Sequence, residues 1–243
     1  MDDRAEAGAG GGAETRYTRR SLALELGVVF AAQLALVIAI VHAGRVLPIG
    51  GAVLALVGLV FVFLPVFVLD RRGKPYARYG IGLGRRPLGD AAFALAVAAI
   101  LFAPIAIGAA PVWRLLYGLE LGDWSFAWPA SYPEGLLSHL VVVAVPEEVF
   151  YRGYVMGRLD DIFPRRVRLL GASVGVGLVI QAALFAVGHF AVDLSPGRLA
   201  VFFPALAFGW LRARRGTIVG PVVLHAGANV FMEILRAGYG LPL

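Results

Sequence analysis

The sequence predicts an all-α protein, a polytopic membrane helical bundle of about seven (six to eight) transmembrane helices. Of its 243 residues, 59% are hydrophobic and only 16% are charged, which is too apolar for a soluble domain. The apolar residues form runs of membrane-spanning length that are separated by short basic segments. We expect a flexible cytoplasmic tail over residues 1–20, rich in Gly, Ala and charge, and a single membrane-embedded helical domain over residues 21–243.

Seven apolar segments are candidates for the spans, and the sixth is short for a complete crossing. They cover residues 22–43, 49–69, 90–113, 135–158, 169–191, 199–211 and 217–237. If they cross alternately from a cytoplasmic N-terminus, most of the 22 Lys and Arg residues fall on the cytoplasmic side, as the positive-inside rule requires. The chain is rich in Ala, Gly and Arg, so we expect an integral protein of the bacterial inner membrane.

Composition also excludes several classes of site. The chain has no cysteine, which excludes disulfides, thiolate catalysis and cysteine-bound zinc. The formal charge of +6 lies in short clusters between apolar runs, so we expect a lipid bilayer and no nucleic acid as partner. Between residues 119 and 134, Trp124, Trp128 and Tyr132 are typical of an interfacial aromatic belt, with a substrate lid as the alternative.

Three ionisable side chains, Glu147, Glu148 and Arg152, lie in the middle of the fourth span, in the stretch VPEEVFYRGYV. Each charge at that depth costs about 2.5–3.5 kcal/mol, so pairing or function must offset it. Glu148 and Arg152 are four residues apart and share a helix face, which predicts an ion pair. Glu147 lies about 100° round the helix axis and is expected to remain free. Pro146 cannot donate to the carbonyl of Val142, which predicts a kink beside the carboxylates.

Small residues follow the charged stretch. Gly153 and Gly157 have the spacing that lets a neighbouring helix approach closely. Other polar side chains in the spans are expected to bond neighbouring helices or arginines and to take no part in catalysis. They are Glu25, Gln33, His139 and Gln181.

Two later spans carry polar pairs at the same four-residue interval. Phe185 and His189 share one face, and His225 and Asn229 share another. A carboxylate, two imidazoles and an amide are the components of an acid–base site with an oxyanion pocket. Such a site needs no serine or cysteine nucleophile, and amide hydrolysis is the reaction it predicts. Glu147 would take a proton from water that His189 orients, and His225 with Asn229 would stabilise the oxyanion.

Three motifs therefore follow one another along the membrane spans: Glu147-Glu148-x-x-x-Arg152, Phe185-x-x-x-His189 and His225-x-x-x-Asn229. Their order and spacing resemble the signature of the CPBP family, which comprises type II CAAX prenyl proteases and bacteriocin-processing or self-immunity proteins. The resemblance covers about residues 135–235. It implies a glutamate-type intramembrane endopeptidase whose catalytic residues are Glu147, His189, His225 and Asn229 and whose supporting residues are Glu148, Arg152 and Phe185.

A metal is the alternative to direct catalysis by glutamate, since older descriptions of the family call it a metalloprotease. Glu147, His189 and His225 would then be the ligands of a zinc ion. Glu148 would have to be the base, and that role conflicts with its pairing to Arg152. We therefore expect no cofactor and metal-free catalysis, with zinc as the alternative.

The expected partner is a membrane-tethered peptide or protein, cleaved in a C-terminal tail or a leader. The alternative is a non-enzymatic membrane protein, either a self-immunity or chaperone-like factor or a proton-coupled transporter. A transporter requires a continuous polar path across the membrane, and the first three spans offer almost none.

The depth of the histidines sets a condition on the fold. A rise of about 1.5 Å per residue puts Glu147 and His225 in mid-membrane but His189 near the outer end of its span. These side chains can meet only if residues 165–175 lie along the cytoplasmic surface, if the fifth helix is strongly tilted, or if the number of crossings differs by one.

Overall fold

The computed structural model describes residues 18–129 and 132–241. These residues form seven helices and one small β-hairpin. The helices are α1 (Arg19–Val46), α2 (Val53–Arg71), α3 (Pro87–Tyr117), α4 (residues 134–162), α5 (Val176–Asp193), α6 (Phe202–Arg215) and α7 (Val219–Gly238). Short 3₁₀ turns lie at Gly50–Ala52, Tyr76–Tyr79 and Pro196–Val201. Residues 1–17 of the predicted tail lie outside the described residues. Helix α1 begins at Arg19, and Thr18 is its N-cap.

Among the described residues, four helices are long and apolar enough to cross a membrane, namely α1, α2, α3 and α5. The first three keep large apolar side chains on the outside of the protein, for example Leu24, Phe63 and Ile107. Water tolerates little contiguous apolar surface of this kind, whereas lipid is a suitable solvent for it. The chain is thus a helical integral membrane protein, as predicted, and the number of about seven crossings stays a prediction.

A β-hairpin takes the place of the start of the predicted fifth span. Strand β1 (Val167–Leu169) pairs antiparallel with β2 (Ala172–Val174). The two turn residues, Leu170 and Gly171, have φ angles of 47° and 76°. Positive φ at both central residues gives a turn whose twist matches that of paired strands. This local geometry overrides the apolar pattern, so the prediction of a helix from residue 169 was wrong and α5 begins at Val176.

Helix α4 lies at the centre of the bundle and contacts α2, α5 and α7. Residues 149–159 are all buried. The helix is continuous, but its hydrogen bonding is π-helical over Ser138–Ala144 and again over Val149–Val155, on either side of Val145–Glu148. Pro146 removes one donor from the regular ladder, and such a loss is commonly accommodated by irregular turns. The irregularity predicted at Pro146 is present in this form.

Helix α2 approaches the irregular part of α4 closely at Gly58. A Cβ atom at Gly58 would lie 3.0 Å from the carbonyl oxygen of Val142 and 3.3 Å from Cγ of Pro146. Any larger residue would therefore push the two helices apart. The contact covers the carbonyl group that the proline leaves without its usual donor.

Gly153 and Gly157 allow a close approach, as predicted, but the partner is a loop and not a helix. A Cβ atom at Gly153 would lie 2.7 Å from Cγ1 of Ile81, and one at Gly157 would overlap the ring of Tyr79. Both partners belong to the connection between α2 and α3. The small residues therefore seat this connection against the central helix.

Ion pairs join α1, the end of α2 and α4 at one end of the bundle. Glu25 binds Arg72 at 2.7 Å and Arg158 at 2.8 Å, which confirms that arginines pair with this carboxylate. Arg158 also donates to the hydroxyl oxygen of Tyr79 at 2.8 Å, and that hydroxyl donates to Asp161 at 3.2 Å. Burial raises the pKa of Tyr79 to about 12, so the hydroxyl keeps its proton near neutral pH.

The basic connections meet at this end as well. Arg78 pairs with Asp161 at 2.7 Å, which links the α2–α3 connection to the end of α4. Arg215 pairs with Asp90 at 2.7 Å, which links the α6–α7 turn to the start of α3. The indole of Trp210 donates to the carbonyl of Leu169 in the hairpin at 3.0 Å.

Candidate active site

The three sequence motifs converge at one point between α4, α5 and α7. The Oε2 atom of Glu147 lies 3.9 Å from Nε2 of His189 and 3.9 Å from Nε2 of His225. One bridging water spans such a gap, so the three groups are close enough to cooperate. Residues 165–175 precede α5, and their predicted position along the cytoplasmic surface stays a prediction.

Glu148 is held on two sides. Its Oε1 atom accepts hydrogen bonds from Nη1 of Arg152 at 2.9 Å and from Nδ1 of His225 at 2.8 Å. The side chains of Glu148 and Arg152 are both 0% exposed. Arg152 donates further to the carbonyl of Ala205 at 3.3 Å. The ion pair predicted from the four-residue spacing is confirmed, and it fixes the position of His225.

Aromatic rings enclose the buried guanidinium. The Cζ atom of Arg152 lies 4.4 Å from the ring centre of Phe185 and 4.9 Å from that of Phe208. A desolvated cation between two rings is stabilised by their π-electrons. Phe208 also stacks on the imidazole of His225, with ring centres 5.0 Å apart and planes 13° apart. Sequence reasoning missed Phe208, because an aromatic residue in an apolar span carries no signal beyond packing.

The hydrogen-bond partners assign the tautomers of the two imidazoles. Nδ1 of His189 lies 3.0 Å from the carbonyl oxygen of Phe185, which can only accept, so Nδ1 carries the hydrogen. Nδ1 of His225 faces the carboxylate of Glu148 and carries its hydrogen for the same reason. When either ring is neutral, its Nε2 atom therefore has a lone pair, and both Nε2 atoms face Glu147.

Glu147 differs from its neighbour in having no fixed partner. Its Oε2 atom is buried and has no hydrogen-bond partner among the described residues. Burying a carboxylate oxygen in this way is costly, and such groups are concentrated at functional sites. The expectation that one carboxylate is paired and the other is free agrees with this geometry.

A cavity of about 290 Å³ opens beside Glu147, between α1, α2, α4 and α5. Tyr151 and His189 share its polar wall with Glu147. The hydroxyl of Tyr151 makes no hydrogen bond within the described residues, and sequence reasoning missed it although it precedes Arg152 in the first motif. Most of the remaining lining is aliphatic or aromatic: Leu34, Val37, Val41, Val53, Leu54, Val57 and Phe61.

Asn229 lies one turn beyond His225 on α7 and is half-buried. Its amide forms no hydrogen bond within the part of the chain that the structure describes. The structure therefore places the amide on the face that the four-residue spacing predicts, without joining it to Glu147 or Glu148.

The other polar residues of the spans have mixed outcomes. Gln181 donates across to the carbonyl of Ala205 on α6 at 3.1 Å, and His139 lies 2.7 Å from Glu233 on α7, so both are interhelical hydrogen-bonders as predicted. The same prediction was wrong for Gln33, which is 1% exposed yet makes no hydrogen bond within residues 18–129 and 132–241.

A zinc site would use Glu147, His189 and His225. Zinc holds its nitrogen and oxygen ligands at about 2.0–2.2 Å in a tetrahedron. No group of three or more His, Asp or Glu side chains among the described residues has an arrangement that can hold a metal ion. As placed, this set of ligands does not fit zinc, and we derive no catalytic step through a metal.

Comparison with known proteins identifies the same part of the chain. Residues 129–231 match the family model described as type II CAAX prenyl endopeptidase, Rce1-like. No curated protein and no solved structure matches the chain. The matched region includes all three motifs and excludes α1 to α3. The resemblance predicted from the motifs is confirmed: residues 129–231 are similar to the Rce1-like type II CAAX prenyl endopeptidases.

Proposed function

We propose that the protein is an intramembrane endopeptidase that hydrolyses a peptide bond with water activated by Glu147. One observation carries the proposal: a carboxylate oxygen of Glu147, without a hydrogen-bond partner among the described residues, faces two imidazoles at 3.9 Å beside a mostly apolar cavity. The family match supports a peptide hydrolase of the CAAX protease kind. The glutamate mechanism is our inference from the arrangement of the side chains.

The first step is attack by water. A water between Oε2 of Glu147 and Nε2 of His189 donates one hydrogen to each, since both atoms accept. Its oxygen lone pair is then free to point toward the substrate carbonyl. Glu147 takes the proton as the new carbon–oxygen bond forms, and it returns that proton to the amide nitrogen when the carbon–nitrogen bond breaks. The products are a carboxylic acid and an amine.

The second requirement is stabilisation of the oxyanion. His225 already donates through Nδ1 to Glu148, so it can donate from Nε2 only as an imidazolium ion. The carboxylate of Glu148 and the ring of Phe208 both lie against this imidazole and fix its orientation. Asn229, one turn away, supplies a second donor from its amide. Arg152 supports this arrangement by fixing Glu148, and Phe185 packs against the guanidinium of Arg152.

The substrate we infer is a membrane-tethered peptide or protein, cleaved in a C-terminal tail or a leader. More than half of the residues that line the cavity are apolar, which suits an extended apolar segment of peptide. Arg72, Arg78, Arg158 and Arg215 lie together at one end of the bundle, and this supports a cytoplasmic location for that end. We therefore propose a bacterial inner-membrane protein, a single domain over residues 21–243 with its N-terminus in the cytoplasm.

The test is cleavage of a library of membrane-anchored peptides by purified protein in mild detergent. We expect the wild type to cleave and Glu147→Gln to lose cleavage. Glu233→Gln is the matched control, because it removes a half-buried carboxylate that pairs with His139 and does not line the cavity.

Two results would contradict the proposal. Cleavage by Glu147→Gln at the wild-type rate would exclude glutamate as the base. A well-folded wild type that cleaves nothing in a broad library would favour the non-enzymatic alternative, a self-immunity or chaperone-like factor or a proton-coupled transporter. Peptide binding and ion flux would then be measured to separate those two.

A further inference from the structure

Gln33 is a buried amide that the fold leaves unsatisfied. It lies on the apolar helix α1 and is only 1% exposed. Its Oε1 atom is buried without a hydrogen-bond partner, and its amide nitrogen donates to nothing within the described residues. Native proteins satisfy most buried polar groups with hydrogen bonds. A buried amide without them therefore either lowers the stability of the protein or binds a partner from outside the chain.

A second glutamine in the same bundle shows how the fold holds such a group through its amide nitrogen. Gln181 is 0% exposed, and its Nε2 atom donates to the carbonyls of Leu178 at 3.0 Å and Ala205 at 3.1 Å. It does not line the cavity beside Glu147. Both glutamines have a buried Oε1 atom without a hydrogen-bond partner among the described residues, but Gln181 is bonded to its own protein through Nε2 and Gln33 is not.

The position of Gln33 indicates what it binds. Its side chain lines the cavity whose walls also contain Glu147, Tyr151 and His189. A molecule that occupies this cavity therefore meets the unsatisfied amide and the free carboxylate together. An acyl or prenyl chain has no hydrogen-bonding group and would leave the amide of Gln33 as it is.

We propose that Gln33 binds a main-chain amide of the substrate peptide close to the bond that is cleaved. A carboxamide has one oxygen that accepts and an NH₂ group that donates, so it can pair with both the N–H and the C=O groups of a peptide chain. This recognition does not depend on side chains, which suits a cavity whose other lining is mostly apolar. Gln33 thereby sets the register of the peptide against Glu147. The inference rests on the proposed protease function and names the group by which the site holds its substrate.

The experiment compares Gln33→Leu with Gln181→Leu, each measured for thermal unfolding and for cleavage of the best library peptide. Leucine has a similar size and no polar atoms. We expect Gln33→Leu to keep or raise the melting temperature, while kcat/KM falls on the order of tenfold to a hundredfold, since bonds to the substrate are lost. Gln181→Leu should lower the melting temperature, because two hydrogen bonds to buried carbonyls are lost.

A second set of substrates separates a bond to the peptide from a change in packing. In each substrate, one main-chain N–H near the cleaved bond is replaced by an ester oxygen. At the position that Gln33 binds, the ester should slow the wild type but leave Gln33→Leu unaffected, because the bond is already absent. Equal sensitivity of both proteins at every position would overturn the inference, as would wild-type kinetics in Gln33→Leu or a loss of stability equal to that of Gln181→Leu.

Binding of intact peptide keeps the inference testable if no cleavage is found. Fluorescence anisotropy of a labelled membrane-anchored peptide is measured with Glu147→Gln and with the double variant Glu147→Gln, Gln33→Leu. Weaker binding by the double variant supports the role of Gln33, and equal binding by the two proteins overturns it. Absence of cleavage by the wild type, by contrast, counts against the proposed protease alone.

Discussion

Nδ1 of His225 lies 2.8 Å from Oε1 of Glu148, and this bond joins α7 to the central helix α4 within the candidate active site. The same oxygen accepts from Arg152 at 2.9 Å. Glu148 is therefore fixed by two donors to Oε1, although its Oε2 atom has no hydrogen-bond partner among the described residues. The adjacent Glu147 forms no hydrogen bond within those residues through either oxygen. Two neighbouring carboxylates thus have different tasks, one in holding the site together and one in the chemistry that we propose.

Glu148→Gln should lower the free energy of unfolding by about 3–5 kcal/mol, because it leaves Arg152 as a buried cation without a counter-ion. Thermal or denaturant unfolding in detergent measures the loss. The control is Glu233→Gln, whose ion pair with His139 is 20–27% exposed and should contribute about 1 kcal/mol or less. Equal losses in the two variants would contradict the central role of the buried pair.

Asn229→Ala should lower kcat by about 10²–10³-fold and leave the melting temperature unchanged. The substitution removes one hydrogen-bond donor to the oxyanion, and such a donor acts mainly in the transition state. Stability should not change because the amide makes no hydrogen bond within the described residues. Steady-state kinetics test the first part, and a wild-type kcat would remove Asn229 from the site.

A strong chelator should leave the rate of cleavage unchanged, because the proposed base is Glu147 itself. The measurement is the cleavage rate after prolonged treatment with chelator and again after zinc is added. Cleavage abolished by the chelator and restored by zinc would move the enzyme to the metal-dependent class, with Glu147, His189 and His225 as its ligands.

Gly157→Ala should destabilise the protein by about 1–3 kcal/mol, since the added methyl group overlaps the ring of Tyr79. Gly27→Ala is the matched control on α1, where a Cβ atom would have no neighbour within 4 Å. The control should be neutral or slightly stabilising, because alanine favours helix more than glycine does. Equal melting temperatures for the two variants would show that the α2–α3 connection moves away without cost.

Local helix geometry accounts for the parts of the site that the sequence could predict. Glu148 and Arg152 had to share a face because they are four residues apart, and the freedom of Glu147 followed from its position on the helix. The spans could be recognised because lipid demands long apolar helices. These inferences need no knowledge of how the helices pack.

Packing between distant segments accounts for what the sequence could not predict. Nothing local to Gly157 indicates that its partner is the ring of Tyr79 in a loop. Nothing local to Gln33 indicates that its amide forms no hydrogen bond within the described residues. The stacking of Phe208 on His225 likewise joins two different helices. The apolar pattern of the segment predicted a helix in place of the hairpin at residues 167–174. The structure forms a turn there instead, at two residues with positive φ.

The most direct test of the account is the cleavage rate of Glu147→Gln, measured together with its melting temperature. We predict a loss of at least about 10²–10⁴-fold in rate, which is the usual contribution of a general base, with a melting temperature equal to or above that of the wild type. Retained cleavage, or a loss of cleavage that occurs only together with loss of the folded state, would contradict the assignment of Glu147 as the base.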